Sequence, residues 1–100
     1  LHYVTSKSAL IGMTNSLARE LGPFGVTANC IRPGTVATEV AERKAGLTQE
    51  ILQRNIDLQC IPRTIVPSDL VGITMFLASP AASFITGQTI ACDGGYTHSF

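Results

Sequence analysis

Two residues near the start of the chain, Tyr3 and Lys7, are the clearest candidates for acid–base chemistry. They are four residues apart, so on a helix their side chains lie one above the other on the same face. A free tyrosine has a pKa of about 10, and a tyrosine that acts as a base at neutral pH needs that value lowered by roughly two to three. A neighbouring lysine on an exposed helix contributes only about a few tenths of a kcal/mol. The phenolate therefore also needs a desolvated site and a second positive charge.

The same pair has a simpler interpretation, in which a surface tyrosine packs against the aliphatic part of a lysine side chain. The spacing alone does not separate this interpretation from the catalytic one. The choice depends on the elements that position the pair and on the motifs that accompany it.

The segment that carries the pair is predicted to be an amphipathic helix, because its apolar residues recur at intervals of three and four. These residues are Leu10, Met13, Leu17 and Leu21. Gly22 and Pro23 are expected to end the helix. The β-branched segment 26–31 then predicts a strand, which ends at Arg32, Pro33 and Gly34.

The periodic pattern of apolar residues weakens between residues 35 and 63. Two short helices are predicted there, over 39–44 and 49–58, with Thr48 as the N-cap of the second. We interpret this stretch as a mobile cover.

The remaining residues predict one more helix and one more strand. The helix starts at Pro67, Ser68 and Asp69 and runs to about Ser79. The strand covers 88–92 and ends at a turn over 93–95. Strands that alternate with helices indicate parallel pairing, but a doubly wound sheet usually has about five or more strands. The chain is therefore predicted to be the C-terminal part of a larger α/β domain with a Rossmann-like, doubly wound parallel sheet.

The composition narrows the class of protein. Of the 100 residues, 45% are apolar and 14% are charged, which excludes an intrinsically disordered chain. Seven basic and 7 acidic residues give a net charge of 0 without a basic run, which argues against nucleic-acid binding. The longest apolar run, 70–78, is less than half of a membrane span. We therefore expect neither a nucleic-acid partner nor a membrane partner.

The three cysteines are odd in number and about thirty residues apart: Cys30, Cys60 and Cys92. This spacing fits neither a disulfide framework nor a zinc ribbon, so it indicates a reduced, cytoplasmic compartment. A metal site formed by Cys92, Asp93 and His98 is disfavoured, because no two of these residues share the helical spacing of metal ligands. No metal site is predicted.

A series of short motifs follows the Tyr–Lys pair along the chain. They are Tyr3-Val4-Thr5-Ser6-Lys7, Leu17-Ala18-Arg19-Glu20-Leu21, Gly25-Val26-Thr27-Ala28-Asn29, Pro33-Gly34 with Thr38, Phe84-Ile85-Thr86-Gly87 and Asp93-Gly94-Gly95. Their order and spacing closely resemble the short-chain dehydrogenase/reductase family, over nearly the whole chain. The resemblance is to the C-terminal part of that fold, and the first helix corresponds to its catalytic helix.

The resemblance implies a role for each member of the pair. Tyr3 corresponds to the general acid/base, which exchanges a proton with the substrate oxygen while hydride moves to or from nicotinamide C4. Lys7 corresponds to the residue that lowers the pKa of that tyrosine and binds the nicotinamide ribose. An oxidised nicotinamide ring beside the phenol would be the second positive charge.

The resemblance also implies a cofactor-binding segment after the first strand. Pro33 and Gly34 match the turn at which the backbone approaches the nicotinamide, and Gly34 has no Cβ to block that approach. Val36, through its backbone, and Thr38, through its hydroxyl, match positions that hold the carboxamide. An ordinary strand exit is the alternative interpretation of Pro33 and Gly34.

As a whole, the resemblance implies an NAD- or NADP-dependent oxidoreductase that interconverts a secondary alcohol and a ketone. Residues 1–100 correspond to the catalytic and substrate-lid part of one Rossmann-like domain, with the lid at about 37–63. The family's glycine-rich loop and its active-site Asn and Ser precede Leu1, so the isolated residues are expected to be inactive. A homodimer or homotetramer is implied, with the first helix as an interface element. The alternative is a degenerate or truncated chain that retains only a packing or oligomerisation role.

Overall fold

The computed structural model describes residues 1–36 and 48–99. The described residues form two compact units. The first consists of Leu1–Ile31 and Thr74–Ile90, and the second of the described parts of Arg32–Ile73 and Ala91–Phe100. In the described part of the chain, no helix is long and apolar enough to cross a membrane.

The first unit is built on helix α1, which spans His2–Leu21 and confirms the predicted amphipathic helix. A 3₁₀ turn over Gly22–Phe24 follows it, at the predicted end. Within the unit, α1 buries the small side chains of Thr14 and Ala18. Among the described residues, the apolar side chains of Leu10, Met13 and Leu17 are exposed.

Two short parallel strands, β1 over Cys30–Pro33 and β2 over Thr89–Cys92, form a sheet of two strands. The Cys30 N–H donates to the Gln88 carbonyl at 2.8 Å, and the Gly34 N–H donates to the Cys92 carbonyl at 3.3 Å. Both predicted strands are therefore present, and β2 begins one residue later than predicted. Along a strand, the N–H groups that face one neighbour come from every second residue, as Cys30 and Gly34 do here, so the missing N–H of Pro33 does not interrupt the ladder.

The predicted boundaries of the first strand, 26–31, were wrong, because β1 starts at Cys30 and includes Arg32 and Pro33. The backbone before Cys30 is engaged in other hydrogen bonds. The Val26 N–H donates back to Leu21, and the Ala28 carbonyl accepts from the Gly87 N–H at 2.7 Å. These groups are consequently not available to a regular strand ladder.

Asn29 joins the segment before β1 to the segment before β2. Its Nδ2 donates to the Ile85 carbonyl at 3.0 Å, and its Oδ1 accepts from the Gln88 N–H at 3.1 Å. Both bonds are structural, because they join two backbone segments of the chain. The amide side chain replaces backbone partners at the point where the ladder begins.

In the second unit, helix α2 spans Gln49–Leu58, as predicted. Its N-cap is Thr48, whose Oγ1 accepts from the Ile51 N–H at 3.3 Å. This is the expected capping bond, which satisfies a backbone donor of the first helical turn. The other helix predicted for this part of the chain, 39–44, lies outside the described residues.

The helix predicted from Pro67 to about Ser79 consists of two elements. A 3₁₀ turn covers Pro67–Leu70, and helix α3 then covers Val71–Leu77. The predicted end was two residues too late, because Ser79 has extended backbone angles, φ −97° and ψ 161°. Pro80 follows Ser79, and a residue that precedes proline is disfavoured from helical geometry.

Candidate active site

Tyr3 and Lys7 lie on the first two turns of α1 and contact each other. The Lys7 ammonium lies over the Tyr3 ring, 5.5 Å from its centroid. This confirms that the two side chains share a helix face. An exposed cation–π contact is worth only about 0.5–1 kcal/mol, and 66% of Tyr3 is exposed. Any stronger stabilisation of a phenolate has to come from groups beyond this pair.

The two hydroxyl groups that lie between Tyr3 and Lys7 in the sequence are already engaged. Thr5 Oγ1 donates to the Leu1 carbonyl at 2.9 Å, and Ser6 Oγ donates to the Tyr3 carbonyl at 2.9 Å. A hydroxyl has a single proton to donate, so neither group donates to the Tyr3 phenol. Lys7, in contrast, contacts the Tyr3 ring through its ammonium.

Gly34 follows Pro33 at the end of β1, in the second unit. A Cβ at this position would lie 2.6 Å from Ile65 Cδ1 and 3.1 Å from Asp93 Cβ. The sequence assigned the missing side chain of Gly34 to the approach of a nicotinamide. The structure adds a reason within the chain itself, because Ile65 and Asp93 occupy the space that a side chain would need.

Val36 pairs with Ile65 in an isolated parallel β-bridge. Ile65 is one of the buried apolar residues of the described chain. The neighbouring residue Thr35 accepts a hydrogen bond at its Oγ1 from Asn55 Nδ2 in α2, at 3.1 Å. The predicted site residue Thr38 lies outside the described residues, as does most of the first half of the predicted lid over 37–63.

Sequence reasoning missed Asn55, Thr35 and Ile65. Asn55 lies in the interior of a helix and is separated from Thr35 by 20 residues, so no local pattern connects them. The weak signal that was present is the polar type of Asn55, since a half-buried amide requires a hydrogen-bond partner.

Side-chain hydrogen bonds hold the segment that contains Ile65 on both sides of that residue. Gln59 Nε2 donates to the Ile61 and Arg63 carbonyls, both at 2.9 Å. The Arg63 guanidinium binds the Asp69 carboxylate at 2.8 and 2.7 Å. Hydrogen bonds from Arg63, and then from the Val66 N–H, lower the pKa of Asp69 from 3.8 to about 2.

Asp93 is a buried carboxylate at the turn that follows β2. It accepts from the Gly95 N–H at 3.0 Å, and from the Thr97 N–H at 3.2 Å and hydroxyl at 2.9 Å. Burial alone would raise the pKa of Asp93, but these hydrogen bonds outweigh burial and hold the pKa below its usual value. Asp93 therefore holds the predicted turn through its hydrogen bonds.

Over residues 1–36 and 48–99, no group of three or more His, Cys, Asp or Glu side chains could hold a metal ion.

The predicted site residues are thus distributed over both units. Tyr3 and Lys7 contact each other in the first unit, and Pro33, at the end of β1, lies with Gly34 and Val36 in the second. The chemistry available is a phenol beside an ammonium, and a backbone loop without a side chain at Gly34.

Comparison with known proteins gives consistent matches along the chain. A family model described as "Enoyl-(Acyl carrier protein) reductase" matches residues 1–97. The probable galactose dehydrogenase GalD of Rhizobium meliloti is 43% identical over 93 residues, which are 93% of this chain and 36% of that protein. The chain therefore spans a little over a third of the length of this relative.

Two solved structures are similar as well. A short-chain dehydrogenase from Leptospira borgpetersenii with bound NAD⁺ has a TM-score of 0.83 and 35% identity, over 95% of this chain and 35% of that one. A blue fluorescent protein from a metagenomic library, in complex with NADPH, has a TM-score of 0.80 and 36% identity, over 94% and 36%. The predicted Rossmann-like α/β class is confirmed. The match over residues 1–97 and the similarity to these proteins show that the chain belongs to the short-chain dehydrogenase/reductase family.

Proposed function

We propose that these residues form the C-terminal catalytic part of an NAD(P)-dependent oxidoreductase, which interconverts a secondary alcohol and a ketone. The observation that carries the proposal is the contact between the Lys7 ammonium and the Tyr3 ring, 5.5 Å from its centroid, on the first turns of α1. Family membership supports the proposal, as do the relatives that are named as dehydrogenases or were solved with NAD⁺ or NADPH.

Tyr3 is the proposed general acid/base. In oxidation, the Tyr3 phenolate accepts the proton of the alcohol hydroxyl; in reduction, the Tyr3 phenol donates a proton to the ketone oxygen. A bound NAD(P) cofactor supplies the acceptor or donor of the hydride. Because Thr5 and Ser6 donate to backbone carbonyls, their hydroxyls do not compete for the phenol oxygen.

Lys7 is suited to two contacts at once. Its ammonium has three N–H donors, and within the described residues it has no carboxylate partner. The positive charge stabilises a phenolate at Tyr3 while the N–H groups donate to ribose hydroxyls. The donor chemistry of Lys7 thus fits the sugar of a nicotinamide nucleotide.

The loop after β1 is the proposed contact for the nicotinamide carboxamide. Pro33 has no N–H, and the Gly34 N–H donates to the Cys92 carbonyl at 3.3 Å, so neither is free to donate to a ligand. By its resemblance to the family, this chain would contact the carboxamide through the backbone of Val36 and the hydroxyl of Thr38. At Gly34 itself, no side chain blocks the approach to the backbone.

The test is Tyr3→Phe in the complete polypeptide, with Ser6→Ala as the matched control. Tyr3→Phe keeps the ring that contacts Lys7 and removes only the hydroxyl, so we expect kcat for ketone reduction to fall by about 10²–10⁴-fold, with NADH or NADPH binding retained. Ser6→Ala removes a hydroxyl from the same turn, and we expect it to keep kcat within about twofold. Unimpaired reduction of every accepted ketone by Tyr3→Phe would contradict the proposal and favour the non-catalytic alternative.

Several expectations remain predictions. They are the lid over about 37–63, the homodimer or homotetramer with α1 at an interface, the choice between NAD and NADP, and the inactivity of the isolated residues. The exposed apolar side chains of α1 are compatible with an interface.

A further inference from the structure

Helix α2 is tied to the loop that follows β1. Asn55 Nδ2 donates to Thr35 Oγ1 at 3.1 Å, and both side chains are half-buried. Thr35 lies between Gly34 and Val36, the two residues that the proposed function places beside the nicotinamide. A hydrogen bond away from full solvent holds its two partners with less competition from water than a surface bond.

A second contact holds the same loop from the segment after α2. Ile65 pairs with Val36 in the parallel bridge, and its Cδ1 lies 2.6 Å from where a Gly34 Cβ would be. Ile65 is itself only 6% exposed. The loop is therefore held through the Thr35 side chain by α2, and through Gly34 and Val36 by Ile65.

The Ile65 contact does not depend on Asn55 for its own position. The Arg63–Asp69 ion pair and the bonds from Gln59 brace the segment on either side of Ile65. Asn55 thus supplies a hydrogen bond from the helix itself to the loop. We expect its removal to leave the Ile65 contact in place and to break the bond between α2 and Thr35.

We propose that Asn55 is a positioning residue for the loop of Gly34, Thr35 and Val36, and that it couples the position of α2 to the binding of the nicotinamide cofactor. This inference rests on the proposed function, which places the carboxamide at Val36. Coupling between two sites is reciprocal, so a cofactor that fixes the loop also fixes α2. Asn55 acts through Thr35 and does not itself touch the cofactor.

The experiment is a double-mutant cycle in the complete polypeptide. Asn55→Ala, Thr35→Val and the double variant are titrated with NADH and NADPH, and the dissociation constants are measured by nicotinamide fluorescence. One hydrogen bond contributes a factor of about 2 to 13 in an equilibrium constant, so we expect each single variant to weaken binding of the preferred cofactor about three- to tenfold. The double variant should bind no more weakly than the singles, because all three lack the same bond. The pH profile of kcat, which reports the acid/base, should not move.

The matched control is Gln53→Ala on the same helix. Gln53 is exposed and donates to Asp57 on the same helix at 2.9 Å, so its removal should leave cofactor binding within about twofold. Hydrogen exchange provides the reciprocal measurement. Cofactor should slow exchange of the α2 amides in the unmodified protein and in Gln53→Ala, and should do so less in Asn55→Ala.

Three results would overturn the inference. They are unchanged binding in both single variants, a double variant whose loss is the product of the single losses, and equal protection of α2 in Asn55→Ala. If Asn55→Ala does not fold, Thr35→Val removes the same bond with a side chain of similar shape and carries the test. Failure of the proposed function looks different, because the unmodified protein would then bind neither NADH nor NADPH, and the inference would fall with it.

Discussion

Arg63 and Asp69 hold each other through two parallel hydrogen bonds, and the Val66 N–H shares the same carboxylate at 2.9 Å. Such a two-pronged pair is geometrically more restrictive than a single ion pair. The ion pair joins Arg63 to Asp69 in the 3₁₀ turn that begins at Pro67. Ile65, the residue that packs against Gly34, lies between these two residues in the chain.

Replacing Asp69 with Asn should lower stability in a pH-dependent manner. The pKa of Asp69 is lowered from 3.8 to about 2 in the folded chain, so folding favours the ionised carboxylate. The stabilisation is therefore complete above the unfolded pKa, falls to roughly half at pH 3 and is largely lost near pH 2. We expect Asp69→Asn to unfold at a lower temperature than the unmodified protein at pH 7, with the gap narrowing as the pH falls.

Thermal unfolding of the complete polypeptide between pH 7 and pH 3 measures this effect. Asp57→Asn is the control, because its carboxylate accepts from Gln53 on the exposed face of α2. Its effect on the unfolding temperature should be small at every pH. If the unfolding temperatures of Asp69→Asn and the unmodified protein differed by the same amount at pH 7 and pH 3, the ion pair would not stabilise the fold.

Gly34→Ala should destabilise the protein. The added Cβ would lie 3.1 Å from Asp93 Cβ and 3.3 Å from Asp93 Cα, which are attached to a buried turn, and 2.6 Å from Ile65 Cδ1. Overpacking of this kind costs about 1–3 kcal/mol. Urea unfolding measures the loss, and Ile65→Val in the same chain should restore part of it by removing the δ carbon.

Gly12→Ala is the control for that substitution. Gly12 lies inside α1, and apart from its two chain neighbours and the nearby helix backbone, no described atom lies within 4 Å of a Cβ added there. Alanine is a better helix former than glycine, so we expect a gain of about 0.5–1 kcal/mol. If Gly34→Ala proved as stable as Gly12→Ala, the close packing against Asp93 and Ile65 would be refuted.

Asn29→Ala should weaken the start of the strand pair. It removes the donor to the Ile85 carbonyl and the acceptor of the Gln88 N–H. Loss of these two hydrogen bonds, one part-buried and one exposed, costs about 1–3 kcal/mol in the free energy of unfolding. Asn15→Ala, at an exposed position in α1, should be neutral or slightly stabilising. Equal unfolding free energies for the two variants would show that Asn29 is not a structural link.

Local elements were predictable because their signals lie within a few residues of each other. The periodicity from Leu10 to Leu21 predicted α1, and Thr48 predicted the start of α2. The contact between Tyr3 and Lys7 follows from helix geometry alone. The boundaries of β1 were less predictable, because they depend on hydrogen bonds between Ala28 and the distant residues Thr86 and Gly87.

The sequence by itself determined the two helices that have strong local signals, the family, and the pair of residues on one face of α1. The tertiary structure decided what holds the loop after β1. Asn55 on Thr35 and Ile65 on Val36 join residues that are far apart in the chain. Periodicity and capping act over one or two helical turns, whereas these contacts exist only after the backbone has brought the segments together. For that reason, the chemistry proposed for Tyr3 and Lys7 could be predicted from spacing and resemblance, and the contact of Asn55 with Thr35 could not.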